Sequence, residues 1–279
     1  MSKSTIRLRR FTTVHRLWHF ILIIIFMLLS VTGLAWMYIE TSWGHGLAEL
    51  FGGISTALLV HRLTGLVMLV VFACHIIWLI FQVGTKRRNV KESLLGPASL
   101  IFLWRDVVGM FQHLSWVLGM QKKPTFDRWS WWEKFDYWAV WWGFFIVGIT
   151  GLMLYNPVLT SDFFPGWFLN IALWIHRMEA LLAMGHIFTI HFTVEHFRPN
   201  TFPFNSAMFD GSVPLEEAES DHATWVERLK QEGRLEAELV SPPPAWVRII
   251  HFCFGYAIIL LGLFLLIFAL INMTALTLF

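Results

Sequence analysis

Charge and cysteine are both scarce in this chain. Asp, Glu, Lys and Arg make up 14% of its 279 residues, against 56% hydrophobic ones, which excludes an ordinary soluble domain and indicates an integral membrane protein. There are two cysteines, Cys74 and Cys253, and neither lies in a Cys-x-x-Cys-His string. Covalently attached haem is therefore excluded, and two thiols are too few for an iron–sulfur cluster. Both read as packing residues in apolar segments. The chain also lacks a nucleotide-binding loop, a metal–thiolate pattern and a soluble catalytic domain, so any substrate chemistry is expected in partner chains. A net charge of +2 gives no reason to expect nucleic acid.

Long hydrophobic runs are what the chain does have. Lys3, Arg7, Arg9, Arg10 and Arg16 precede the first, at about 17–39, which is too long for a signal peptide and has no small-residue cleavage site. A polar loop with Glu40, His45 and Glu49 leads to a second span at 58–82 and a basic cluster of Lys86, Arg87, Arg88 and Lys91. Residues 92–134 mix apolar residues at helical spacing with Arg105, Asp106, Gln112 and His113, the pattern of a helix lying on the membrane surface. Further spans are expected at 136–156, 168–197 and 246–272.

The expected fold is an all-α integral membrane helix bundle. A four-helix core occupies 1–200, an acidic and helical linker 201–244, and a fifth transmembrane helix 245–279. With five spans, every Lys and Arg except Arg62 and Arg177 falls on one side, which places the N-terminus in the cytoplasm.

The fourth span carries His176, His186, His191 and His196. Titratable side chains inside a membrane are costly and mark working sites. His176 and His191, fifteen apart, fall within about 60° of each other and about 22 Å apart along a helix. In the second span His61 and His75, fourteen apart, fall within about 40°. Helices with such pairs can hold two stacked b-type haems, each iron between two neutral imidazoles. The second and fourth spans run the same way, so His61 and His176 share the outer level. At the inner level both His75 and His19, at the start of the first span, could partner His191. His75 could also hold a third haem. His186 lies about 140° from His191, off that face. Arg62 and Arg177 directly follow the outer pair and could meet haem propionates.

An internal repeat accompanies the histidines. Thr32-Gly33 precedes His61-Arg62 as Thr150-Gly151 precedes His176-Arg177. Gly33 and Gly151 would let a flat macrocycle approach the backbone, or simply let helices pack closely.

This order of residues, with Gly65 and Glu133-Lys134-Phe135, resembles the gamma (cytochrome b) subunit of formate dehydrogenase and the bacterial dihaem cytochromes b of hydrogenases and thiosulfate reductases. The resemblance covers about residues 12–235. It implies His19 with His191 as ligands of an inner haem and His61 with His176 as ligands of an outer one. It also implies the inner membrane of a bacterium. The chain departs from the family by its fifth span and by a His176–His191 spacing one residue longer. Its ending resembles cytochromes b that partner periplasmic multihaem cytochromes c.

The implied function is electron transfer between menaquinone or ubiquinone, at a cytoplasmic-side site, and a periplasmic partner: a multihaem cytochrome c or iron–sulfur and dehydrogenase subunits. The chain would then be the electron-transfer subunit of a quinone/quinol oxidoreductase complex, with no catalytic residue of its own. Quinone chemistry needs proton-exchanging groups, and Glu133, Lys134, Asp136 and His196 are the candidates. Two other readings stand beside it: a haem-containing membrane anchor or assembly subunit without its own quinone site, and a proton-coupled transporter without haem.

Overall fold

The structure, a computed structural model, describes residues 6–85 and 90–275; Lys3 and the basic residues Lys86, Arg87 and Arg88 lie outside them. In chain order the elements are β1 (Arg7–Arg9), α1 (Thr13–Met37), α2 (Ser42–Glu49), α3 (Ile54–Thr85), α4 (Val90–Leu95), α5 (Trp104–Val117), α6 (Trp131–Tyr155), α7 (Pro157–Phe163) and α8 (Trp167–Gly185). A π turn, His186–His191, continues α8 directly into α9 (Phe192–His196). Then follow α10 (Ala207–Asp210), β2 (Ser212–Pro214), α11 (Leu215–Asp221), α12 (Ala223–Gln231), α13 (Leu235–Glu238), β3 (Leu239–Val240) and α14 (Ala245–Ile271).

Among the described residues, four helices are long and apolar enough to cross a membrane: α1, α3, α6 and α14. The expected span at 168–197 forms as α8, the π turn and α9. It is not one of the four, because Arg177, Glu179 and four histidines dilute its apolar character and the α-helical geometry changes at His186. The helices fit a lipid setting, since their outward faces carry large apolar side chains such as Leu63, Val70 and Ile77 on α3 and Leu260 and Ile267 on α14. Cys74 and Cys253 are free thiols on exposed faces of α3 and α14, not packing residues as their apolar surroundings suggested.

The chain divides into two compact units. One draws on Trp18–Ile77, Ala139–Phe192 and Tyr256–Phe279 and consists of packed helices. Aromatic contacts fill it: Phe72 stacks on Phe144 with ring centroids 4.7 Å apart, and Phe26 meets Phe188 at 5.6 Å. α14 is held in this unit by two close contacts. Gly262 leaves a notch for Phe188, where an added Cβ would stand 2.6 Å from the ring. The Tyr38 hydroxyl donates to the Ala269 carbonyl at 2.7 Å.

The other unit draws on Met1–Leu17, Trp78–Trp138 and Thr193–Gly255. Its centre is an antiparallel sheet ordered β2-β1-β3, with Leu8 opposite Val213 and Leu239. Leu8, Phe11, Val213, Trp225, Val226 and Leu229 form its apolar core. The stretch expected as a linker, 201–244, supplies two of the three strands and most of that core. Arg10 reaches Glu133 at 2.6 Å and lies over the rings of Phe11, Trp129 and Trp225. Burial, with the Arg10 charge nearby, pushes the His222 imidazole down to about 4. Burial pushes the Glu217 carboxyl up to about 7. α5 turns Trp104, Val108, Phe111 and Leu114 outward and buries Asp106 and Gly109.

Candidate functional site

The helical unit brings four of its histidines together as two pairs. His19 and His191 stand with ring centroids 6.5 Å apart, and His61 and His176 with centroids 6.3 Å apart. In a regular α-helix the fifteen residues from His176 to His191 overshoot four turns by about 60°. The π turn takes up one extra residue within a single turn, so the run from His176 behaves as fourteen α-helical residues. The surplus residue in the His176–His191 spacing is thus accommodated at His186–His191.

The repeat in the sequence is a repeat in contacts. Thr32 Oγ1 lies 2.9 Å from His61 Nδ1, and Thr150 Oγ1 lies 3.1 Å from His176 Nδ1. The Val147 carbonyl also lies 3.1 Å from His176 Nδ1, and the Leu29 backbone bonds His61 in the matching place. A Cβ on Gly33 would stand 3.2 Å from His61 Cε1, and one on Gly151 the same 3.2 Å from His176 Cε1. The close approach that the two glycines permit is therefore to the imidazoles. Thr32 and Thr150 are the residues that sequence reasoning missed. Their signal was present in the Thr-Gly repeat, which was read for its glycines alone.

The two pairs fit haem on three counts. Two metal–imidazole bonds of about 2 Å, plus the half-width of each ring, add to roughly 6 Å between centroids. Each pair offers two imidazoles, the number a low-spin b haem takes. Arg177 Nε is buried without a hydrogen-bond partner among the described residues, which suits an anionic group such as a propionate. Arg62, by contrast, is exposed.

His75 belongs to neither pair: its ring lies against Trp18 at 5.5 Å and Trp141 at 6.1 Å. Glu133, Lys134, Asp136 and His196 belong to the other unit. Besides Arg10, Glu133 accepts hydrogen bonds from the Ser130 amide and hydroxyl, both at 2.8 Å, which caps the start of α6. Lys134 is buried and pairs with Asp106 at 2.8 Å. Asp136 is also buried. His196 stacks on Phe204 with centroids 4.7 Å apart and accepts the Asn205 amide on Nδ1 at 3.3 Å.

A search of curated proteins finds no match to the chain. A family model described as prokaryotic cytochrome b561 matches residues 10–208, a stretch that contains both histidine pairs and both Thr-Gly steps and stops short of α14. With most of its length in that match, and with membrane helices that present imidazoles in pairs, the chain belongs to the prokaryotic cytochrome b561 family, whose members are membrane b-type cytochromes.

Proposed function

We propose that the protein is the membrane cytochrome b subunit of a respiratory complex, with two haem sites: His19 with His191 at the cytoplasmic level and His61 with His176 at the periplasmic level. The observation that carries this reading is the near-equal spacing of the two ring pairs, 6.5 and 6.3 Å, each sized for one metal between two imidazoles. Haem, when bound, supplies a one-electron carrier at each level. The protein's own part is to set the two levels about 21 Å apart along the helix, from His176 to His191. Arg177, with its unpartnered Nε, would hold a propionate at the outer level, with Arg62 beside the same pair. Electrons would pass between menaquinone or ubiquinone on the cytoplasmic side and a periplasmic multihaem cytochrome c or iron–sulfur subunit. The prokaryotic family and the apolar helices support the inner membrane of a bacterium, and the one-sided Lys and Arg support an N-terminus in the cytoplasm.

His61→Ala and His176→Ala each test the pairing. Each variant is expected to lose the same single haem by pyridine haemochrome and redox titration. Both haems intact in either variant would overturn the pairing.

One observation favours a second reading, a haem-containing anchor or assembly subunit without its own quinone site. Glu133 and Lys134, the charged groups best suited to handle quinone protons, are both committed to ion pairs, with Arg10 and Asp106. Reduction of the purified protein by quinol separates the two: haem that quinol fails to reduce would establish the anchor.

A further inference from the structure

We propose that Thr32 and Thr150 are positioning residues that hold His61 and His176 as the Nδ1–H tautomer and so set the redox potential of one of the two haems. The proposal rests on the reading of His61 and His176 as ligands of a single haem.

A threonine hydroxyl has one proton to give. Thr32 Oγ1 gives its proton to the Leu28 carbonyl at 2.6 Å, and Thr150 Oγ1 gives its proton to the Ile146 carbonyl at 2.7 Å. Each oxygen then meets the histidine with lone pairs only, so His61 Nδ1 and His176 Nδ1 must donate. The Val147 carbonyl, which can only accept, imposes the same proton on His176 Nδ1. A neutral imidazole with its proton on Nδ1 presents a bare lone pair on Nε2. Both rings are therefore set for coordination through Nε2 before any metal arrives.

The neighbouring glycine makes this possible. A Cβ at Gly33 or Gly151 would crowd the imidazole at 3.2 Å, so that the ring would have to give by a few tenths of an ångström. Each Thr-Gly step thus acts as one device, the glycine admitting the ring and the threonine fixing its tautomer. Because the device occurs twice, on α1 for His61 and on α6 for His176, both ligands of one haem are held from helices that do not carry them. Hydrogen bonding to the distal ring N–H raises ligand basicity, which favours the ferric state. Loss of either hydroxyl should therefore raise the potential of that haem.

The test is a redox titration with low-spin ferric EPR on the purified holoprotein. The variants are Thr32→Val, Thr150→Val, both together, and Thr32→Ser and Thr150→Ser. Each valine variant is expected to shift one midpoint upward and to alter one EPR signal, which depends on the angle between the imidazole planes. The double variant should shift the same haem further, and serine should restore the wild-type values. Loss of that haem alone in a valine variant, recovered with serine, supports the same conclusion. Wild-type potentials in the valine variants, a shift confined to the haem that His19→Ala removes, or failure of serine to rescue would overturn the proposal. The ligand reading is judged separately. If His61→Ala and His176→Ala keep both haems, that reading fails; if they lose one while the valine variants titrate as wild type, only the role of the threonines fails.

Discussion

His191 faces His19, at 6.5 Å between ring centroids, from the last position of a π turn. Fifteen α-helical residues would leave His191 about 60° past His176, and the extra residue held in the turn reduces the run to the equivalent of fourteen, about 40° short of four full turns.

The first prediction concerns this turn. Deleting Thr189 should convert His186–His191 to α-helix and leave His191 fourteen residues from His176, still on the same face. Inserting an alanine after Thr189 should rotate His191 about 100° away. Haem per polypeptide checks both: the deletion keeps two haems and the insertion keeps one. Two haems in the insertion variant would contradict the assignment of His191.

Lys134 distinguishes a structural ion pair from a quinone ligand. It is 1% exposed, and its partner Asp106 is 7% exposed. Lys134→Met leaves a buried carboxylate unpaired, which should cost about 3–5 kcal/mol. Thermal unfolding in detergent is expected to show that loss, with part of it recovered when Asp106→Asn is added. A variant of wild-type stability with a raised KM for quinol would assign Lys134 to the quinone instead.

Glu217 gives the fold a pH dependence of definite sign. Its folded value is about 7 against 4.5 for the free group, because burial disfavours the carboxylate. Between those values the folded chain keeps a proton that the unfolded chain has lost, so this group's contribution to stability falls as pH rises through the window. His222 acts oppositely: with a folded value of about 4 it loses stability as pH drops below its free value of 6.5. Comparing Glu217→Gln with wild type isolates the first effect. The variant should gain about 1–2 kcal/mol relative to wild type at pH 8 and nothing at pH 4, read from melting temperatures. A difference that is constant with pH would contradict it.

The helices and the histidine pairs were legible because both are periodic. An apolar run long enough for a bilayer announces a span, and imidazoles fourteen or fifteen apart announce a shared face. The choice of His19 over His75 was not legible from periodicity, and it depended on family resemblance. In the structure His75 is turned onto Trp18 and Trp141. The π turn escaped because nothing in HIFTIH differs from an α-helical string. The sheet escaped because β1 is three residues long and its partners lie more than two hundred positions away. Residues 201–244 looked like a linker because their apolar residues are sparse, and they form a core only when Leu8 and Phe11 join them.

The most direct test is haem per polypeptide by pyridine haemochrome, followed by a reduction spectrum after addition of a menaquinol analogue. Two b haems per chain, both reduced by the quinol, are the predicted result. A chain that purifies folded without haem would contradict the account at its centre and leave the intramembrane histidines to proton transport.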